Sequence, residues 1–132
     1  MSNFALNELE IAPPEVVIQS ARDFAAALAE SPQFQAFEAA TDRLNNDSIA
    51  QQAMEAFQAK QEALKGMLML NAVSAEERTE LERLRSAFMD QPSVTAYFQA
   101  QTDLMIICQA SADWLSEAIG LNFAAVCGSG CC

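Results

Sequence analysis

The sequence predicts an all-α protein: a long antiparallel helical hairpin or bundle of about five helices, dimeric, with a flexible cysteine-rich C-terminal tail. Three observations lead there. Apolar residues recur at spacings of three and four nearly throughout; Ala, Leu, Met, Gln and Glu dominate over Val, Ile and Thr; and no segment alternates apolar and polar residues for long enough to make a strand. At 132 residues with 52% hydrophobic and 19% charged, the chain can bury one core and is too apolar for a disordered linker.

A first helix is predicted to start near Pro14, a proline suited to the first turn, with Val17, Ala21, Phe24 and Leu28 on one face. Ser31 then caps a second helix that has Pro32 in its first turn and Phe34, Phe37, Thr41 and Leu44 as its stripe. Asn45-Asn46-Asp47-Ser48 reads as a stop followed by a start. From there Met54, Phe57, Gln61, Leu64 and Leu68 trace a heptad-like seam that should run to Leu70, weakened by Gly66. Ser74 with Glu77 forms a capping box for a fourth helix, whose face is Leu81, Leu84 and Phe88. After Gln91-Pro92 a last helix carries Val94, Tyr97, Gln101, Leu104, Cys108, Ser111, Leu115 and Ile119, and Gly120 caps it. Two of these helices reach roughly 23 and 27 residues, twice the usual length, and long amphipathic helices in a small chain imply a second chain to pair with. Residues 1–123 form the predicted helical domain and 124–132 the tail.

Composition excludes several functions. Seven basic against 18 acidic side chains leave a net charge of −11, with the basic residues scattered, so neither direct nucleic-acid binding nor attraction to an anionic membrane is expected. The longest strongly apolar stretch, Leu104 to Cys108, is far too short to span a bilayer. No secretory signal is visible, which points to the cytoplasm. The chain has no histidine, removing the commonest general base and every Ser-His-Asp or Cys-His arrangement. No nucleophile–base pair remains, and an enzyme is not expected.

The chemistry left to the chain is thiol chemistry. Cys127, Cys131 and Cys132 fall in the last six residues, separated by Gly128-Ser129-Gly130. Thiolates are the natural ligands of zinc, copper(I) and iron–sulfur clusters, and this spacer can wrap a compact centre. Three thiols fall one short of the usual four ligands; another subunit, a partner, a small molecule or the Cys132 carboxylate could complete the set. Redox chemistry without metal and idle thiols are the alternatives. A terminal Cys-Cys also occurs in prenylation signals, but no Gly-rich phosphate loop accompanies it here. Cys108, in phase with Leu104 and Leu115, is expected to pack as a small apolar residue, with a fourth-ligand role as the alternative. Glu38 with Asp42, and Glu76-Glu77-Glu80, read as solvated faces and first-turn charges, because a carboxylate di-iron bundle would need Glu-x-x-His. Trp114 and the six methionines read as packing or partner surface.

The serial order of these signals resembles a known family. An amphipathic first helix precedes Ser-Pro-x-Phe-x-x-Phe (31 to 37), and Asn-Asp opens a long Ala/Gln/Phe-rich helix. A Ser-x-x-Glu cap, Gln-Pro-x-Val-x-x-Tyr (91 to 97) and Ile-Gly-Leu-x-Phe (119 to 123) follow. This is similar to the YlbF/YmcA/YheA-like family of small helical bacterial regulators, from about Val16 to the C-terminus. The resemblance implies an all-helical, often dimeric, cytoplasmic protein without catalytic residues. It also implies complexes that influence competence, sporulation and biofilm formation, assist an endoribonuclease in maturing messenger RNA, and carry cysteine-held iron–sulfur clusters. Carried onto this chain, Cys127, Cys131 and Cys132 are the cluster ligands.

The leading expectation is therefore a regulatory adaptor: a helical homodimer that binds partner proteins and holds an iron–sulfur cluster, or zinc in its place, at its C-terminal tip. The alternatives are a stand-alone small metal carrier or sensor, and a plain helical oligomerisation module with an inert tail.

Overall fold

A computed structural model of the chain describes residues 13–127, which form seven helices. They are α1 (Pro14–Glu30), α2 (Pro32–Asn45), α3 (Ser48–Ala63), α4 (Lys65–Met69), α5 (Ala75–Met89), α6 (Pro92–Ile119) and α7 (Phe123–Cys127). No strand occurs among the described residues, so the all-α prediction holds. The five principal helices are those predicted, with the third divided into α3 and the short α4; the short α7 is additional. No described helix is long and apolar enough to cross a membrane.

Side-chain caps set the boundaries. Ser31 serves two helices at once: its hydroxyl donates to the Leu28 carbonyl at 2.6 Å, closing α1, and accepts from the Phe34 amide at 3.1 Å, opening α2. Asp47 opens α3 by accepting from the Ala50 amide at 3.1 Å, and Ser74 opens α5 by accepting from Glu77 at 3.2 Å. The hairpin turn closes on Asn71, whose φ of 53° places it in the left-handed region. Around it the Ala72 amide donates to Met67 at 2.8 Å and the Asn71 amide to Leu68 at 3.2 Å, the paired bonds of a Schellman motif. Arg78 then donates to the Asn71 side-chain carbonyl at 2.9 Å, tying the turn to α5.

The predicted single helix from Ser48 to Leu70 is interrupted once, at Leu64 (φ −97°, ψ 1°), which separates α3 from α4. The hydrogen-bond ladder passes through the interruption, from Leu64 to Lys60 at 3.0 Å and from Leu68 to Leu64 at 2.8 Å. Leu64 itself is buried, so the local unwinding accompanies an inward leucine rather than the Gly66 that the sequence drew attention to.

Two composite arms run antiparallel, with α2 packed on α6 and α3 on α5. Both arms break at the same level, one at Asn46-Asp47 and the other at Asp90-Gln91. Across that level the Ser93 hydroxyl donates to the Asp47 carboxylate at 2.6 Å. Ala40, Ala50 and Ala100 are buried around the crossing together with Val94, small residues that let the helices approach closely. Phe37 stacks at a tilt on Tyr97 with ring centroids 5.4 Å apart. Further out, Lys60 of α3 and Glu77 of α5 pair at 2.6 Å.

This core is thin, and it covers only part of α6. At 1.5 Å per residue the 14-residue α2 is about 21 Å long against about 42 Å for the 28-residue α6. The C-terminal half of α6 therefore outruns its partner helix. The expectation that Cys108 packs inward is corrected: it is exposed, and the half-buried positions along this part of α6 are Leu104, Ile107 and Ser111.

Candidate functional site

The C-terminal half of α6 has α1 and α7 for neighbours, and the three leave a groove between them. Val17, Ala21 and Phe24 of α1 form one wall, Ser111, Trp114 and Leu115 of α6 the other, and Phe123 of α7 closes one end. The groove is open to solvent and encloses about 690 Å³. None of its lining residues carries a charge. Its aromatic walls stand in water, Trp114 at 68% exposure and Phe24 at 49%.

The local sequence explains this shape. The predicted stripe Val17-Ala21-Phe24-Leu28 is real, yet α1 contains no buried residue, and of the stripe Leu28 alone is half-buried. The helix is held at its C-terminal end, through Ser31 and its packing on α2. At the other end of α6, Gly120 adopts φ 72° and turns the chain back. The Phe123 amide then donates to the Ser116 hydroxyl at 3.0 Å, fixing α7 against α6, while the Ala125 amide donates to the Asn122 side chain at 3.1 Å and caps α7 itself. This docking is what puts Phe123 in the groove.

Of the predicted ligands, Cys127 is the last residue of α7, while Cys131 and Cys132 lie outside the described residues. Residues 124–127, expected to begin the tail, are helical as part of α7. Among the described residues no group of three or more Cys, Asp, Glu or His is placed to hold a metal ion. The acidic clusters at Glu38 and Asp42 and at Glu76, Glu77 and Glu80 are accordingly not assembled into a cation site there. A metal held by the tail would take its ligands from Cys127 and the residues after it, a thiolate set chemically suited to zinc or iron–sulfur.

Charge is unevenly shared along the molecule. Between Lys60 and Asp90, at the hairpin-turn end, five basic residues balance six acids, whereas the rest of the chain sets Arg22 and Arg43 against twelve acids. The turn itself exposes Met67, Leu68, Met69 and Leu70 in succession. Of the carboxylates, Asp47 is held below the ordinary aspartate range, chiefly by the Ser93 hydroxyl and then by the Ala50 amide. Glu80 is likewise lowered, by the Arg83 guanidinium that donates to it at 2.7 and 2.9 Å.

Sequence reasoning found both walls of the groove as separate stripes but not the groove. The available signal was the mismatch in length between the second and last helices, which leaves the end of the longer one without a partner within the chain.

Residues 17–120 match the family model described as control of competence regulator ComK, YlbF/YmcA. No curated protein and no solved structure matches the chain.

Proposed function

The chain belongs to the YlbF/YmcA family of competence-control regulators, and on that premise we propose that it is a non-enzymatic regulatory adaptor that acts through protein contacts in the cytoplasm. The observation that carries this reading is the uncharged, aromatic-walled groove of α1, α6 and α7. Contiguous apolar surface of this kind is costly in water and is kept where another protein covers it. Homodimerisation belongs to the same reading, as does the absence of direct RNA or DNA contact by a chain of net charge −11.

Cys127, Cys131 and Cys132 hold an iron–sulfur cluster in this proposal, with zinc as the simpler occupant. Three thiolates within six residues repel one another, and a bound cation offsets that repulsion. A second copy of the tail or a partner supplies the fourth ligand.

Purification without oxygen, followed by iron, sulfide and zinc analysis, tests the metal half. The parent protein should carry iron with sulfide, or zinc, and the Cys127→Ser/Cys131→Ser/Cys132→Ser variant should carry neither while keeping its helical circular dichroism. Equal metal content in the two proteins would remove the tail as the site. A metal-free parent would leave an adaptor without a cofactor.

A further inference from the structure

We propose that the groove between α1 and the C-terminal half of α6 is occupied by this chain's own residues 4–11, which a protein partner displaces when it binds. The inference rests on the adaptor reading given above and deepens it by naming what holds the groove until a partner arrives.

The groove and α1 set the requirement. Val17, Phe24 and Trp114 are about half exposed or more around an uncharged space of about 690 Å³, a volume typical of binding pockets. The helix α1 is 17 residues long with nothing buried, and a helix of that length without cover is marginal in water. Whatever covers it should be apolar and present whenever the chain folds.

The sequence on either side of residues 13–127 offers one segment of that chemistry. Residues 4–11 read Phe-Ala-Leu-Asn-Glu-Leu-Glu-Ile, with Phe4, Leu6, Leu9 and Ile11 as large apolar side chains and no basic residue. The residues after Cys127 are Gly, Ser and Cys, with no large side chain among them.

The point of attachment is favourable. The amides of Val16 and Val17 donate to the Pro13 carbonyl at 2.9 and 3.5 Å, so α1 starts there and its groove wall begins at once with Val17. Pro14 keeps its predecessor out of the helical region, and Pro13 has φ −58° and ψ 146°. The chain therefore leaves the α1 axis at Pro13 instead of extending it. From Pro13 back to Phe4 it can span roughly 30 Å, against about 16 Å along α1 from Pro13 to Phe24, so it can double back over the whole wall.

The tether decides between occupants. A segment joined by a short link acts at an effective concentration of about millimolar, above that of a free partner. A second copy also brings another net charge of −11 to the contact, which repels. A partner must outcompete the segment, so its apparent affinity is lowered by the fraction of chains whose groove is closed.

The test uses the reduced full-length chain and acrylamide quenching of Trp114, the sole tryptophan. The parent indole should be shielded to the same degree at every protein concentration in the micromolar range. Removal of residues 1–12 should red-shift its emission and raise its quenching constant about threefold, as expected when a filled pocket is opened. Leu6→Glu/Leu9→Glu in the full chain should do the same, with helical circular dichroism retained, and it decides alone if the truncated chain does not fold. Equal quenching in parent, truncated and substituted chains overturns the proposal, whether the indole is open in all three or shielded in all three. Shielding that disappears on dilution together with a halving of mass by light scattering assigns the groove to a second copy and overturns it as well. None of these results removes the adaptor reading, since a groove free of the segment is still open to a partner; that reading is tested separately in the host.

Discussion

Asp47 and Ser93, 46 residues apart in the chain, meet at 2.6 Å where the two arms of the hairpin break. The same carboxylate caps α3 through the Ala50 amide, so one side chain both starts a helix and fastens the opposite arm. Ser93 is fully buried one residue after Pro92, and its hydroxyl has this carboxylate as its acceptor. The register between the arms is thereby tied to a cap rather than to apolar packing alone.

Replacing Ser93 with alanine should lower the melting temperature by several degrees, since a buried hydrogen bond to a charged acceptor is lost with little change in volume. Thermal denaturation followed by circular dichroism measures it. An unchanged midpoint would show that the contact contributes nothing to stability.

The same pair sets a pH response. The Asp47 carboxyl is held below its ordinary value of 3.8 in the folded chain, so its contribution is complete above that value. It is lost as pH falls through the lower, folded value. Glu80, lowered from 4.5 by Arg83, acts in the same direction. Stability should be level near neutrality and fall below about pH 4, and Ser93→Ala should flatten part of that fall. Urea midpoints collected from pH 7 to pH 3 test this, and identical slopes in parent and variant would contradict it.

Two glycines should respond oppositely to alanine. Gly120 sits at φ 72°, and a side chain there is strained although the space around it is open, which costs about 1–2 kcal/mol. Gly66 lies within α4 with nothing within 4 Å of an added Cβ, and Gly66→Ala should stabilise by about 0.5–1 kcal/mol. Denaturant midpoints of the two variants should move in opposite directions.

Most of the fold was legible in the sequence because its caps are local. Ser31, Asp47, Ser74 and Gly120 each act within a few residues, and each ends or begins a helix where spacing and chemistry predict. What lay beyond reach is non-local. The exposure of Cys108 depends on which face of α6 meets its neighbours, with Ile107 turned inward in its place, the groove depends on how α1 meets α6, and the Asp47–Ser93 bond depends on the register of the two arms. The Schellman turn at Asn71 was missed for a different reason: asparagine replaces the glycine that usually marks such a stop.

Isolated protein should not retard RNA or DNA at about 150 mM salt, because the chain carries a net charge of −11 and its seven basic residues are outnumbered by 18 acids. Salt-sensitive micromolar binding in a gel-shift assay would contradict an adaptor that works through proteins.

The central claim, regulation through protein contacts and the cysteine tail rather than through chemistry of the chain's own, is tested most directly in the host. The gene is deleted and replaced by the parent, by Trp114→Glu or by the triple Cys→Ser variant at matched protein levels, and competence-gene transcripts are measured. The account predicts that the parent restores the transcript pattern and that neither variant does. Full restoration by both variants would contradict it.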